Sequence, residues 1–128
     1  MNTKAKGSKA ERELVHMFWN SQGWVSFRAA GSGSMKHPCP DLIAGNNIRK
    51  LAIEVKNAGK EYQHLTKQQI DDLQSFATMF GAEPWVAVKF KEWHFLTLED
   101  LNQTELNYSI TKDIAERKGL SFEELINL

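Results

Sequence analysis

The sequence predicts an α/β domain: a mixed five-stranded sheet flanked by helices. Three observations lead there. Two segments carry apolar residues at helical spacing behind capping patterns. Residues 51–56 (Leu51, Ala52, Ile53, Glu54, Val55, Lys56) alternate strictly, as a strand with one buried face does. The segments follow in the order α-β-β-β-α-β-β, which builds a sheet with helices against it.

Residues 1–7 read as a flexible basic arm. Ser8 and Glu11 form the S-x-x-E capping pattern of a helix running to about Gln22. Leu14, Val15 and Phe18 share one face of it, and Gly23 is its stop. Residues 24–28 read as a strand with Val25 and Phe27 inward. A Gly- and Ser-rich loop follows over 29–38. Residues 41–56 form a hairpin that turns at Gly45, Asn46 and Asn47. Thr66 and Gln69 cap a second helix, with Ile70, Leu73, Phe76, Ala77 and Phe80 at helical spacing and Gly81 as its end. Residues 85–90 and 93–98 give two more strands. An edge strand is expected near Tyr108 and Ile110, and a last short helix at Ser121. The whole reads as one domain of 128 residues, with 98–128 as a variable C-terminal extension.

Within the hairpin, twelve residues separate Asp41 from Glu54. Leu51, Ile53 and Val55 share one strand face, so Glu54 and Lys56 share the other. The hairpin carries Asp41 back towards Glu54. An aspartate beside Leu42 and Ile43 is poor strand material unless it serves a turn or a site. Two carboxylates that meet repel each other and stay ionised only with a cation between them. Their hard oxygens suit Mg²⁺ or Mn²⁺. A lysine beside them can hold a water or stabilise a phosphoryl oxygen. That is the chemistry of metal-assisted phosphodiester hydrolysis. The plainer alternative is a solvated Glu54/Lys56 pair on an outward face.

Composition agrees with a water-soluble protein: 41% apolar and 25% charged residues, with no apolar run of transmembrane length. The N-terminus has no apolar region behind its charges, so no secretion signal is expected. One cysteine, Cys39, excludes an internal disulfide and fits a reducing cytoplasm. It has no paired histidine and acid, so a thiol nucleophile is rejected. Four histidines, His16, His37, His64 and His94, show no ligand spacing. Net charge is zero, but its distribution is uneven. Residues 1–60 hold ten Lys/Arg against four Asp/Glu, and residues 61–128 hold six against twelve. The first half, at +6, is the half suited to a polyanion.

Glu11 has two readings, a helix-cap residue or a third carboxylate at the metal. Arg28, at a strand end, suits a phosphate contact or a solvated position. Ser32, Ser34, Lys36 and His37 lie in or beside a loop able to touch phosphates, though it lacks the Gly-Lys-Ser/Thr of a P-loop. Trp85, Phe90, Trp93 and Phe95 are numerous enough to furnish both a core and a self-complementary interface.

The pattern P-D-x(12)-E-x-K resembles the restriction-endonuclease-like nucleases. The likeness is closer still. Lys6 and Gly7 with Glu11, Arg12, Glu13, Leu14 and Val15, then Phe27 and Arg28, then Ser32 and Ser34, resemble the archaeal-type Holliday junction resolvases, found also in viruses and phages. So do Pro40 to Ala44, Ile53 to Lys56, Gln69 with Phe76 and Ala77, and Ala87 to Phe90. The resemblance implies a restriction-endonuclease-like core and a homodimer that nicks two strands of a four-way DNA junction. It implies Mg²⁺, with Mn²⁺ able to substitute, held by Asp41 and Glu54 with Glu11 joining. It implies Lys56 as catalytic lysine, Ser32 as catalytic helper, and Lys6, Arg12, Arg28, Ser34 and Lys36 as DNA-binding. No small-molecule cofactor or membrane is expected, and the location expected is the cytoplasm, that of the host if the chain is viral. The alternatives are a restriction- or repair-type endonuclease of the same fold and a non-catalytic junction-binding protein.

Overall fold

The computed structural model describes residues 3–29, 37–57 and 61–128, with backbone alone over 3–6. The first helix, α1, spans Thr3–Trp19. It begins ahead of Ser8, so residues 3–7 are helical where an arm was expected. Lys4, Ala5 and Lys6 are good helix formers, and Gly7 costs only about 1 kcal/mol. Ser8 therefore lies inside the helix and has no cap to make. Ala10, Leu14 and Phe18, four apart, form the buried stripe. A turn through Gly23, at φ 87°, leads out of the helix.

Five strands form the main sheet: β1 (Val25–Arg28), β2 (Leu42–Gly45), β3 (Lys50–Asn57), β5 (Glu83–Lys89) and β6 (Trp93–Leu96), in the order β1-β2-β3-β5-β6. The β3–β5 pair is parallel and the others are antiparallel, so the sheet is mixed. The β2–β3 hairpin turns as predicted, with Asn46 Oδ1 accepting from the backbone of Ile48 and Arg49. A parallel pair needs a crossover. It is supplied by β4 (Tyr62–Thr66) and α2 (Lys67–Phe80). Thr66 and Gln69 close the predicted capping box, and Gly81 ends the helix at φ 79°.

Residues 98–128 pack into both faces of the sheet. A 3₁₀ turn over Leu98–Asp100 leads to β7 (Asn102–Gln103), β8 (Asn107–Thr111), α3 (Lys112–Lys118) and α4 (Phe122–Ile126). A second sheet forms in the order β4-β8-β7. On the α1 side, Leu14, Phe18, Leu51, Ile53, Phe95 and Leu125 form one core. On the α2 side, Leu65, Ile70, Leu73, Val86, Leu96 and Ile110 form another.

Two expectations are corrected. Val25 and Phe27 are exposed, and Ser26 faces inward. α1 packs on the Ser26 side, where Ser26 Oγ donates to the Val15 carbonyl at 3.1 Å. Trp19 Nε1 donates to the Ser26 carbonyl from the same helix. Trp85, Trp93 and Phe95 are in this chain's own core, as expected, but their burial removes these three from any interface, while Phe90 is half-buried. No helix among the described residues is long and apolar enough to cross a membrane.

Candidate active site

Asp41 stands one residue before β2, and the register pairs Leu42 with Ile53. Extending that register by one residue sets Asp41 opposite Glu54. The Val55 amide donates to Asp41 Oδ2 at 2.8 Å, which locks the aspartate against β3. The Ala29 amide donates to its carbonyl at 3.0 Å and fixes its backbone to the end of β1. Strand alternation buries Ile53 and Val55 on the α1 side. Glu54 and Lys56, both half-buried, point to the other face, as the sequence predicted.

Electrostatics set these carboxylates apart. Burial pushes the Glu54 pKa up to about 8, Asp41's charge and its hydrogen bond to Glu54 add to that, and the Lys56 charge opposes it. At neutral pH the pair therefore retains a proton. Glu11, on α1, is also raised, first by burial and then by Asp41. Arg28 opposes that shift, its Nε donating to Glu11 Oε1 at 3.1 Å. Glu11 thus faces the site from the helix, and its capping role falls away with Ser8. Arg28 is not a solvated strand end, because its Nε is tied to this carboxylate. Arg12 is exposed, and its charge reaches Glu11.

The structure thus brings Glu11, Asp41, Glu54, Lys56 and Arg28 to one region. Ser32, Ser34 and Lys36 lie outside the described residues, as does the Lys6 side chain. Among the described residues, no group of three or more His, Cys, Asp or Glu forms a metal cluster. Asp41 and Glu54 are the pair that meets. The Cys39 thiol is raised by burial and then by Asp41 and Glu54, the opposite of what a nucleophile needs.

One bracket escaped sequence reasoning. Glu13, two residues past Glu11, accepts from Lys89 Nζ and from Trp93 Nε1. Lys89 also lies over the Trp93 ring, 5.7 Å from its centroid. This bracket pins α1 to the β5–β6 hairpin, and so holds the helix that presents Glu11. Its partners are 76 positions apart, and no local pattern marks them.

Comparison with known proteins gives a consistent answer. The family described as archaeal Holliday junction resolvase (hjc) matches residues 2–128. The crossover junction endodeoxyribonuclease Hjc of Archaeoglobus fulgidus is 39% identical over 130 residues, covering 94% of this chain and 95% of that one. Its counterpart in Methanocaldococcus jannaschii is 34% identical, covering 94% and 86%. A crossover junction endodeoxyribonuclease of Sulfolobus islandicus rod-shaped virus 1 is 26% identical, covering 99% of both chains. The solved structure of A. fulgidus Hjc, a Holliday junction resolvase, superposes with a TM-score of 0.86 at 37% identity, covering 93% of this chain and 97% of that one. The match takes in residues 98–128, which the sequence alone had left as an extension. With the family model matching residues 2–128 and the Archaeoglobus fulgidus relative matched in sequence and in fold over nearly its whole length, this chain belongs to the archaeal Holliday junction resolvase family.

Proposed function

We propose that this protein cuts DNA at four-way junctions by metal-assisted phosphodiester hydrolysis, with Asp41, Glu54 and Lys56 as its reactive set. One observation carries the reading. Asp41, locked to β3 by the Val55 amide, meets Glu54 across the hairpin, and burial first and then Asp41's charge raise the Glu54 pKa to about 8. A structural carboxylate is normally placed to avoid that penalty. A divalent cation removes it, because two hard oxygen donors and a charge of +2 replace the shared proton. The donor set therefore fits Mg²⁺, or Mn²⁺ in its place. Mg²⁺ keeps several waters, and Glu11 would accept from one of them rather than join as a third ligand. When bound, the metal supplies charge neutralisation at the phosphate and a more acidic water.

The side chains do the rest. Lys56 presents its ammonium on the same strand face as Glu54, where it can orient the attacking water and stabilise the phosphoryl oxygens as charge grows. Arg28 spends its Nε on Glu11, and its outer N–H groups can grip a phosphate. Arg12 offers a second guanidinium. Lys6, Ser32, Ser34 and Lys36 are assigned to the same DNA path from the family pattern, with Ser32 assisting the chemistry. The protein acts as a homodimer, because two nicks placed by two-fold symmetry need two matched sites. With Trp85, Trp93 and Phe95 inside the core, the dimer surface must use other apolar groups. Phe27 on β1, next to half-buried Ile43, and Met79 and Phe80 on α2 are available.

Three labelled substrates test the function: a four-way junction, a nicked duplex and a plain duplex, each with Mg²⁺. Paired nicks in the junction alone are expected. Equal cutting of plain duplex would make the chain a general endonuclease, and binding without cutting would make it a non-catalytic junction binder. Sedimentation of the same preparation at micromolar concentration reads the dimer.

A further inference from the structure

The second sheet has a property that hydrolysis does not use. Residues 61–128 carry twelve acidic and six basic side chains, yet β4, β7 and β8 contain no Asp, Glu, Lys or Arg. Along β4, Leu65 is fully buried, and Tyr62, His64 and Thr66 face outward. The register sets Tyr62 beside Thr111 and His64 beside Ser109. Asn102 Nδ2 donates to Ser109 Oγ at 3.3 Å across the β7–β8 pair. The outer face is thus neutral and lined with hydroxyls and amides. One large aromatic ring stands on it. Tyr62 is 55% exposed, and its ring meets His64 edge-on, with 5.0 Å between centroids and planes at 88°.

Tyr62 is five residues beyond Asn57, the end of the strand that carries Glu54 and Lys56. Five residues span at most about 18 Å even when fully extended. The open ring therefore stands within reach of a DNA strand engaged at the reactive carboxylates.

We propose that Tyr62 reads the branch point: its ring stacks on a base face that a four-way junction exposes where its arms meet. The inference rests on the junction reading of the site and explains how the chain would prefer that substrate. In a continuous duplex each base is covered on both sides by its neighbours. Where arms meet, the end pairs offer an open face. Aromatic stacking is tolerant of sequence, because every base has a π-face. A T-shaped contact with His64 covers at most one face of the Tyr62 ring, and the 55% exposure of the residue leaves the other open. Ser109, Thr111 and Asn102 offer hydrogen bonds to flanking sugar and phosphate oxygens. No acidic side chain on these strands repels the backbone.

The test compares wild type, Tyr62→Ala, Tyr62→Phe and His64→Ala on a junction and on a plain duplex, without divalent cation so that no cutting intervenes. Tyr62→Ala is expected to lose roughly tenfold in junction affinity. Its duplex affinity should stay unchanged, and Tyr62→Phe should bind like wild type. A junction with 2-aminopurine beside the branch point should be quenched by wild type and by Tyr62→Phe, but not by Tyr62→Ala. All positions are exposed or at the strand surface, and thermal melts check that each variant folds. Equal losses on both substrates, or no loss on either, would overturn the proposal while leaving the junction reading in place. Wild type that binds both substrates equally would overturn the junction reading itself, and the proposal with it.

Discussion

Two glutamates on neighbouring parallel strands meet opposite fates. Glu83 opens β5, paired in register with Leu51, and Glu54 lies three positions further along β3. Arg49 donates from Nε and from Nη2 to the two Glu83 oxygens at 2.8 and 2.9 Å, and Trp85 Nε1 adds a third bond. The Glu83 carboxyl is accordingly held low, by the Arg49 hydrogen bonds above all. The same guanidinium donates from Nη1 to the Leu125 carbonyl at 2.7 Å and lies over the Trp24 ring, 5.6 Å from its centroid. Glu54 is pushed up, by burial first and then by the charge of Asp41. Helix α1 repeats the contrast within three residues. Glu13 is lowered by Lys89, and Glu11 is raised by burial and Asp41. Carboxylates that hold the fold together are given a cation by the chain. In the reactive region burial and the neighbouring carboxylate outweigh the cations at hand, Arg28 beside Glu11 and Lys56 near Glu54, and that is how the two kinds are told apart here.

The most severe way to break the contrast is to neutralise the reactive pair. Asp41→Asn and Glu54→Gln are each expected to slow cleavage by at least about 10³-fold. Junction affinity should hold or rise, because a negative charge facing phosphate has gone. Single-turnover cleavage and gel shifts on one preparation read both effects. A variant that still cuts at the wild-type rate with Mg²⁺ would take that carboxylate out of the site.

Removing the satisfied partner should do the reverse. Arg49→Ala leaves Glu83 with the Trp85 bond alone and the Leu125 carbonyl without its donor, and is expected to cost about 2 kcal/mol of stability, a figure reduced because Glu83 is 40% exposed. Cleavage per folded molecule should not change. Denaturant melts and active-site-normalised rates separate the two. A slowed reaction at unchanged stability would mean that Arg49 serves the chemistry.

The smallest effect sharpens the comparison through pH. For Glu54 the folded pKa, about 8, lies above the ordinary 4.5. Between those values the unfolded chain has released a proton that the folded chain keeps, so stability falls as pH rises across that window. Glu83, held low, acts in the opposite sense: its contribution is present above the ordinary value and lost as pH falls below it. Metal-free protein should therefore melt several degrees lower at pH 8 than at pH 5. Glu54→Gln should flatten that slope, and so should Mg²⁺, which takes the proton's place. A slope that survives Glu54→Gln would place the titrating group elsewhere.

Local chemistry made much of this molecule legible in its sequence. Alternation over residues 51–56, the turn at Gly45 to Asn47 and the spacing from Asp41 to Lys56 are short-range facts, and a hairpin converts them directly into a meeting of side chains. The Thr66/Gln69 and Ser121/Glu124 capping boxes form from residues three apart, whereas Ser8 and Glu11, at the same spacing, lie inside α1 because the helix starts earlier. Tertiary structure alone decided the rest. β4, which no pattern in the sequence marks, pairs with β8 more than forty positions later, and so the strand expected near Tyr108 and Ile110 as an edge is the middle one of its sheet. Whether Val25 or Ser26 faces the core depends on which side of β1 the helix covers. Glu11 finds Arg28 at 17 positions, Arg49 finds Glu83 at 34 and Glu13 finds Lys89 at 76. A carboxylate's pKa follows from the charges and the burial around it. Those are fixed by which strands and helices come to rest against each other, a choice made by the core as a whole and not by any window of the chain.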